Sequence, residues 1–292
     1  MVFVKQLKAG SSALRRVALT LCAGILLVSG AGVGTGAEPA SWDQPPSSQA
    51  PDRTPAGTGC RQALGGIERS SRVCAAVSVH GHGSLIRVPG LERMMTYDAA
   101  IARSAVVIGD SQTGPDTWVD RGLKELGFRT VLRGAGGTGY TVGNGTVGSY
   151  YTALVKEQWL LPYGNPKLVI LQGGGNDAGR AADSEIAKAA AGLVREMRRT
   201  YPHSRLVMVG VISTKRTSAG IRRAEVDQVL AGVAAQEGVE FLSVGDWWDR
   251  YSLRPLLQPD GRHFTAAGHQ AAGTVFATEL GRLLEGAGPG PG

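Results

Sequence analysis

The sequence predicts a three-layer α/β/α domain around a five-stranded, mostly parallel sheet, with a small β-hairpin region ahead of it. Two observations carry this. After residue 100, β-branched and apolar runs alternate with longer stretches of helical periodicity. The runs are continuously apolar rather than alternating with polar residues, as strands covered by helices on both faces require. At 292 residues, 42% of them hydrophobic, the chain is long enough to bury one large core.

The strands are read, in order, at AVVIG (105–109), FRTVLRG (128–134), KLVILQGG (167–174), RLVMVGV (205–211) and VEFLSVG (239–245). Between the first two, Trp118, Leu123 and Leu126 share one helical face, and after the third strand Ile186, Leu193, Val194 and Met197 do the same. Further helices are expected over 149–160, 221–237 and 265–285, and the last residues, 287–292, read as a flexible tail. In such a fold ligands bind beyond the carboxyl ends of the strands.

Upstream, Lys5, Lys8, Arg15 and Arg16 precede an uncharged stretch from Val17 to Ala37 that ends in small residues, the pattern of a secretory signal peptide over residues 1–37. An uncleaved membrane anchor through residues 17–37 is the second reading, disfavoured because Gly and Ala outnumber Leu and Ile. Arg15-Arg16 lies in a poor context for twin-arginine export, and Cys22 lacks the preceding small residue of a lipidation site. Without this segment the formal charge of +7 falls to about +3, with 27 basic and 24 acidic residues. No clustered Lys/Arg stripe with interleaved aromatics is present, so no nucleic-acid partner is expected. Residues 38–59, rich in Pro, Ser and Gly, read as a disordered linker. Residues 60–100 form the accessory region, where CAAVSVHGHGSLIRVPG reads as two short strands around a glycine turn. In an exported chain Cys60 and Cys74 are expected to form a disulfide, which would stabilise its short loop by about 3 kcal/mol.

At the carboxyl edge of the first strand stand Gly109-Asp110-Ser111. A serine hydroxyl becomes a useful nucleophile only when a base takes its proton and a third group holds the base. Of the five histidines, His80 and His82 lie in the hairpin region, and His203 enters a strand from its amino end. His263 follows the fifth strand, at the correct edge, with Asp260 three residues earlier across a Pro-Asp-Gly turn. His269 lacks an acid at comparable spacing and reads as a polar residue on a helix surface. Oxyanion donors are available from the Ser111 N–H, expected at a helix amino terminus, from the glycine turn 133–139, and from the Asn176 amide.

Gly109-Asp110-Ser111 after the first strand, a glycine turn after the second, Gly174-Gly175-Asn176-Asp177 after the third and Asp260-Gly261-Arg262-His263 near the end occur in that order. Together they resemble the SGNH (GDSL) hydrolase family over roughly residues 101–286. The resemblance implies a flavodoxin-like hydrolase fold, Ser111 as nucleophile and first oxyanion donor, and Gly137 and Asn176 as the other donors. It implies His263 as general base and Asp260 as its orienting partner, with no metal or cofactor. Gly136 and Gly134 compete with Gly137, because the second block lacks the usual preceding asparagine. Gln112 stands where the family often has leucine, a departure expected to matter little.

Several other features admit blander explanations. Asp110 and Asp177 read as acceptors that order loops. Tyr140, beside the glycine turn, is a candidate wall of the substrate pocket. Trp247-Trp248 reads as a strand-end pair with one ring buried and one exposed, and His80-Gly81-His82 lacks a third metal ligand. Asn144-Gly145-Thr146 is a sequon that matters only in a eukaryotic secretory pathway. GAGGTG (134–139) matches a dinucleotide fingerprint, but it follows the second strand and no acid ends the next one. The expected protein is therefore a secreted or surface-tethered serine esterase acting as a monomer on short-chain acyl or acetyl esters of small molecules or acylated glycans. The alternatives are an acyltransferase to a cell-wall or secreted glycan, and a glycan-binding surface protein with a little-used triad.

Overall fold

The computed structural model describes residues 83–213 and 216–286. The expected signal peptide, the linker, the Cys60–Cys74 disulfide, His80, His82 and the 287–292 tail lie outside the described residues.

A two-stranded hairpin comes first: β1 (Leu85–Val88) pairs antiparallel with β2 (Arg93–Tyr97). There follow β3 (Ser104–Gly109), α1 (Trp118–Glu125), β4 (Arg129–Gly134), α2 (Tyr150–Val155) and β5 (Pro162–Tyr163). The chain continues through β6 (Leu168–Gln172), α3 (Asp183–Thr200), β7 (Arg205–Val209), α4 (Ser218–Glu237) and β8 (Glu240–Leu242). It closes with a short α5 (Trp247–Arg250) and a long α6 (Ala266–Gly286). The main sheet has the order β4-β3-β6-β7-β8, and every pair in it is parallel.

The apolar runs are continuous because each strand feeds two cores. In β3, Val106 and Ile108 join the cluster under α3 and α4, while Ala105 and Val107 join the cluster under α1 and α6. In β6, Val169 and Leu171 point to the first, Leu168 and Ile170 to the second. With side chains alternating at period two, a strand buried on both faces has no solvent-facing position for a polar residue. Local signals set the ends of the long helices. Thr217 caps α4 by accepting the Gly220 N–H at 3.1 Å, and Gly238 at φ +60° closes it in the left-handed conformation.

Of the expected hairpin, the strand LIRV forms and pairs with Arg93–Tyr97 across a Pro89–Glu92 turn. The strand expected upstream of the glycines lies outside the described residues. β5 extends this small sheet in parallel to β2, and Ile86, Val88, Met95 and Tyr97 pack in the same core as β6 and α3. A buried ion pair, Arg93 to Glu196 at 2.8 Å, together with a hydrogen bond from Arg93 to Thr200, pins β2 to α3. Trp247 and Trp248 also depart from expectation: both are buried, because they open α5 instead of ending a strand. Trp247 packs on Trp118 and Phe276, and Trp248 packs on Phe264.

Strand order reverses between β3 and β6, the first and third strands of the main sheet. Such a reversal opens a crevice at the carboxyl ends, because the connections from the two strands leave in opposite directions. The loops carrying Ser111 and Asn176 bracket this point.

Candidate active site

Ser111 sits in a turn directly after β3. The Asp110 carboxylate accepts the Gln112 N–H at 2.8 Å and the Asp110 carbonyl accepts the Thr113 N–H at 3.1 Å, so the turn closes around the serine. Burial pushes the Asp110 carboxyl above the usual carboxylate range, while the Gln112 N–H draws it down. Thr113 Oγ1 donates to Gln172 Oε1 at 2.8 Å, joining the turn to the end of β6. Ser111 was expected at a helix amino terminus. It is not there: α1 begins at Trp118, after a further turn, so a helix dipole gives the serine no direct support.

His263 and Asp260 share one compact loop. Gln258 donates its N–H to the His263 carbonyl at 2.7 Å and accepts the Gly261 N–H at 2.9 Å, and Gly261 takes φ +64°. The Asp260 Oδ1 accepts the N–H groups of Arg262 and His263 at 2.9 and 3.0 Å, an Asx-type turn that faces its Oδ2 toward the ring. Oδ2 lies 2.5 Å from His263 Nδ1, and His263 Nε2 lies 2.8 Å from Ser111 Oγ. The hydrogen bond to the ring, with the two backbone N–H groups, holds the Asp260 carboxyl well below the usual carboxylate range. Residues 152 positions apart thus form one hydrogen-bonded relay.

The glycine turn after β4 lies alongside. Gly137 adopts φ +79°, and among the described residues no acceptor takes the N–H of Ser111, Gly136 or Gly137. A Cβ on Gly136 would stand 3.7 Å from the Ser111 Cβ, so this turn passes close to the nucleophile. The Asn176 Nδ2 donates to the Thr138 carbonyl at 2.9 Å, which aims the amide at the turn and leaves its second N–H over. Asp177 accepts from Tyr140 N at 3.0 Å and from Thr141 N at 2.7 Å, fixing the β4–α2 connection to the loop after β6. The sequon residue Asn144 donates to the Gly136 carbonyl at 2.9 Å and so braces the same turn.

Two side chains turn out otherwise than expected. Tyr140 is 2% exposed with its ring edge-on to Tyr150, so it belongs to the core and not to a pocket wall. Its backbone is held by Asp177, which turns the ring inward. His269 is no mere surface residue: its Nδ1 accepts the Trp118 N–H at 3.1 Å and thereby caps the start of α1.

Two others have roles that the sequence reading did not assign: Gln112 was expected to matter little, and Arg223 was not singled out. Gln112 is buried, accepts the Trp118 indole N–H at 3.0 Å and donates to the Arg262 carbonyl at 3.3 Å. It therefore ties the nucleophile turn to the histidine loop. Its only signal in the sequence is an amide where a leucine is usual. Arg223, from α4, donates to the carbonyls of Gly175 and Ile212 at 3.2 Å, bracing the loops after β6 and β7. Nothing in the local sequence marks it.

Comparison with known proteins bears on this arrangement. The model of the GDSL-like lipase/acylhydrolase family matches residues 101–271. Among solved structures, one crystal structure aligns at TM-score 0.50 and 19% identity, covering 63% of this chain and 98% of the other. Axe2, an acetylxylan esterase from Geobacillus stearothermophilus, aligns at TM-score 0.49 and 16% identity over 61% of this chain and 94% of its own. Est24, a carbohydrate acetylesterase from Sinorhizobium meliloti, aligns at TM-score 0.47 and 18% identity over 62% of this chain and 99% of its own. At such identities a likeness concerns the fold and not the substrate. No curated protein matches the sequence significantly. The family match spans more than half of the chain and contains all four motif blocks, so the protein belongs to the GDSL-like lipase/acylhydrolase family and is a carboxylic ester hydrolase.

Proposed function

We propose that the protein is an exported serine esterase that cleaves short-chain acyl esters, acetyl esters first, through an acyl-serine intermediate. The relay from Ser111 Oγ through His263 to Asp260 carries this reading. His263 Nε2 accepts the serine proton as Oγ attacks the ester carbonyl, and Asp260 stabilises the imidazolium that forms. The N–H groups of Ser111 and Gly137 and the Asn176 amide receive the oxyanion. When the tetrahedral intermediate collapses, His263 returns the proton to the departing alcohol. Water, activated by the same histidine, then releases the acid.

The site is open, with the His263 and Asp260 side chains 38% and 44% exposed, so bulk water, in large excess over any alcohol, reaches the acyl-serine. The open site also suits a soluble or polymeric ester, such as an acylated glycan, better than an aggregated lipid. Export through residues 1–37 and action as a monomer complete the proposal. Among the described residues no helix is long and apolar enough to cross a membrane.

The test uses the full-length protein and its Ser111→Ala variant with p-nitrophenyl esters from acetyl to octanoyl. The intact protein should turn over the shortest esters fastest and be labelled at Ser111 by a fluorophosphonate, and the variant should do neither. Absence of both turnover and labelling in the intact protein would reject the triad and move a glycan-binding role ahead.

A further inference from the structure

Beside the Asp260–His263 loop lies a cavity of about 600 Å³, lined in part by Arg223, Trp248, Arg254, Gln258, Asp260 and Arg262. Three guanidinium groups share this wall with one carboxylate. That carboxylate, Asp260, is committed to the His263 ring and to the backbone N–H groups of residues 262 and 263. Arg254 is held by Asp249 through contacts of 2.6 and 2.8 Å. Arg223 bonds only loop carbonyls, and the buried Asp110 carboxylate attracts it without an ion-pair contact. Arg262 is exposed, and no carboxylate among the described residues pairs with it. The Trp248 indole N–H, in the same wall, is buried without an acceptor. The wall thus offers hydrogen-bond donors and positive charge in excess of the acceptors around it.

Its position matters for the reaction. The departing alcohol must receive its proton from His263 Nε2, so the alcohol portion of a bound ester extends past the histidine. The chain next to it there is Asp260–Arg262, which forms the rim of the cavity.

We propose that this cavity is a subsite for a carboxylate on the alcohol portion of the ester, and that the substrates are acylated acidic sugars of the uronic acid class. The inference rests on the esterase reading for its place in catalysis. Arg262 meets the carboxylate from the rim, with Arg223 adding charge from the floor, and a planar guanidinium suits a carboxylate through paired N–H donors.

Two measurements on the full-length protein test it. In the first, the inactive Ser111→Ala variant is titrated with methyl glucuronoside and with methyl glucoside. The uronoside should bind roughly five- to tenfold more tightly, an advantage that shrinks at high salt and disappears on adding Arg262→Gln. In the second, kcat/KM of the active protein is compared for acetylated methyl glucuronoside and acetylated methyl glucoside. The ratio should favour the uronoside by a similar factor, fall toward one in Arg262→Gln and fall below one in Arg262→Glu. Equal binding of the two sugars, or a uronoside preference untouched by both Arg262 variants, overturns the subsite. Uronoside binding that depends on Arg262, in a protein that hydrolyses no ester, would instead uphold the subsite and reject the esterase reading.

Discussion

At the residue scale the site depends on groups that hold other groups. Asn176 is both an oxyanion donor and a tie to the Thr138 carbonyl. Asn176→Ala should lower kcat by roughly 100- to 1000-fold while changing KM little, since a ground-state carbonyl gains less from the donor than the oxyanion does. Steady-state kinetics on p-nitrophenyl acetate would check this, and an unchanged kcat would remove Asn176 from the oxyanion site. Gln112 acts differently: it touches no substrate but joins Trp118 to the Arg262 carbonyl. Gln112→Leu, although it recreates the residue common in the family, leaves a buried indole N–H without an acceptor. It should cost about 1–3 kcal/mol in urea unfolding. Gln112→Glu keeps the acceptor for Trp118 and loses the donor to the loop, so it should lower kcat more than it lowers stability.

At the element scale, α1 and α6 pack closely because glycines face each other. A Cβ on Gly122 would come within 2.7 Å of the Gly273 carbonyl oxygen and of the Phe276 ring. Two effects oppose one another in Gly122→Ala. Helix propensity favours alanine by about 1 kcal/mol, while overpacking against fixed backbone costs about 1–3 kcal/mol. The carbonyl belongs to a long helix and cannot swing aside like a side-chain tip, so overpacking wins and the variant should unfold at lower urea. A midpoint equal to or above that of the wild type would show that the helices can separate without penalty. The same contact places α6, and with it the His263 loop, against the element that follows Ser111. Packing of these two helices and the 2.8 Å relay are therefore linked.

For the molecule as a whole, buried carboxylates make stability depend on pH. Asp227 accepts the Val211 N–H at 2.8 Å and the Ser243 hydroxyl at 2.6 Å, and burial raises its carboxyl above the usual range. The folded state therefore holds this proton more firmly than the unfolded chain does. The associated stability is fully present below the ordinary carboxylate pKa and is lost as the pH rises through the raised value. Asp227→Asn keeps an acceptor for Val211 and cannot ionise. Its urea midpoint relative to wild type should climb as the pH rises from the ordinary carboxylate range toward neutrality. A difference that stays flat with pH would show that Asp227 ionises equally easily folded and unfolded.

The sequence by itself determined the sheet and the order of the chemistry along it. Strands such as VVI and LVIL are buried on both faces, so their apolar runs carry the parallel sheet openly, and a turn such as Pro259-Asp260-Gly261 encodes its own geometry within a few residues. What only the tertiary structure decided were depth and partnership. Tyr140 and the two tryptophans are sunk by neighbours from other segments of the chain, Tyr150, Phe276 and Phe264 among them. The roles of Gln112 and Arg223 depend on carbonyls brought to them from residues 262, 175 and 212. Local pattern records which face of an element is apolar, because that repeats with the backbone period. A single polar bond between distant loops repeats with nothing, so it becomes visible only once the chain has folded.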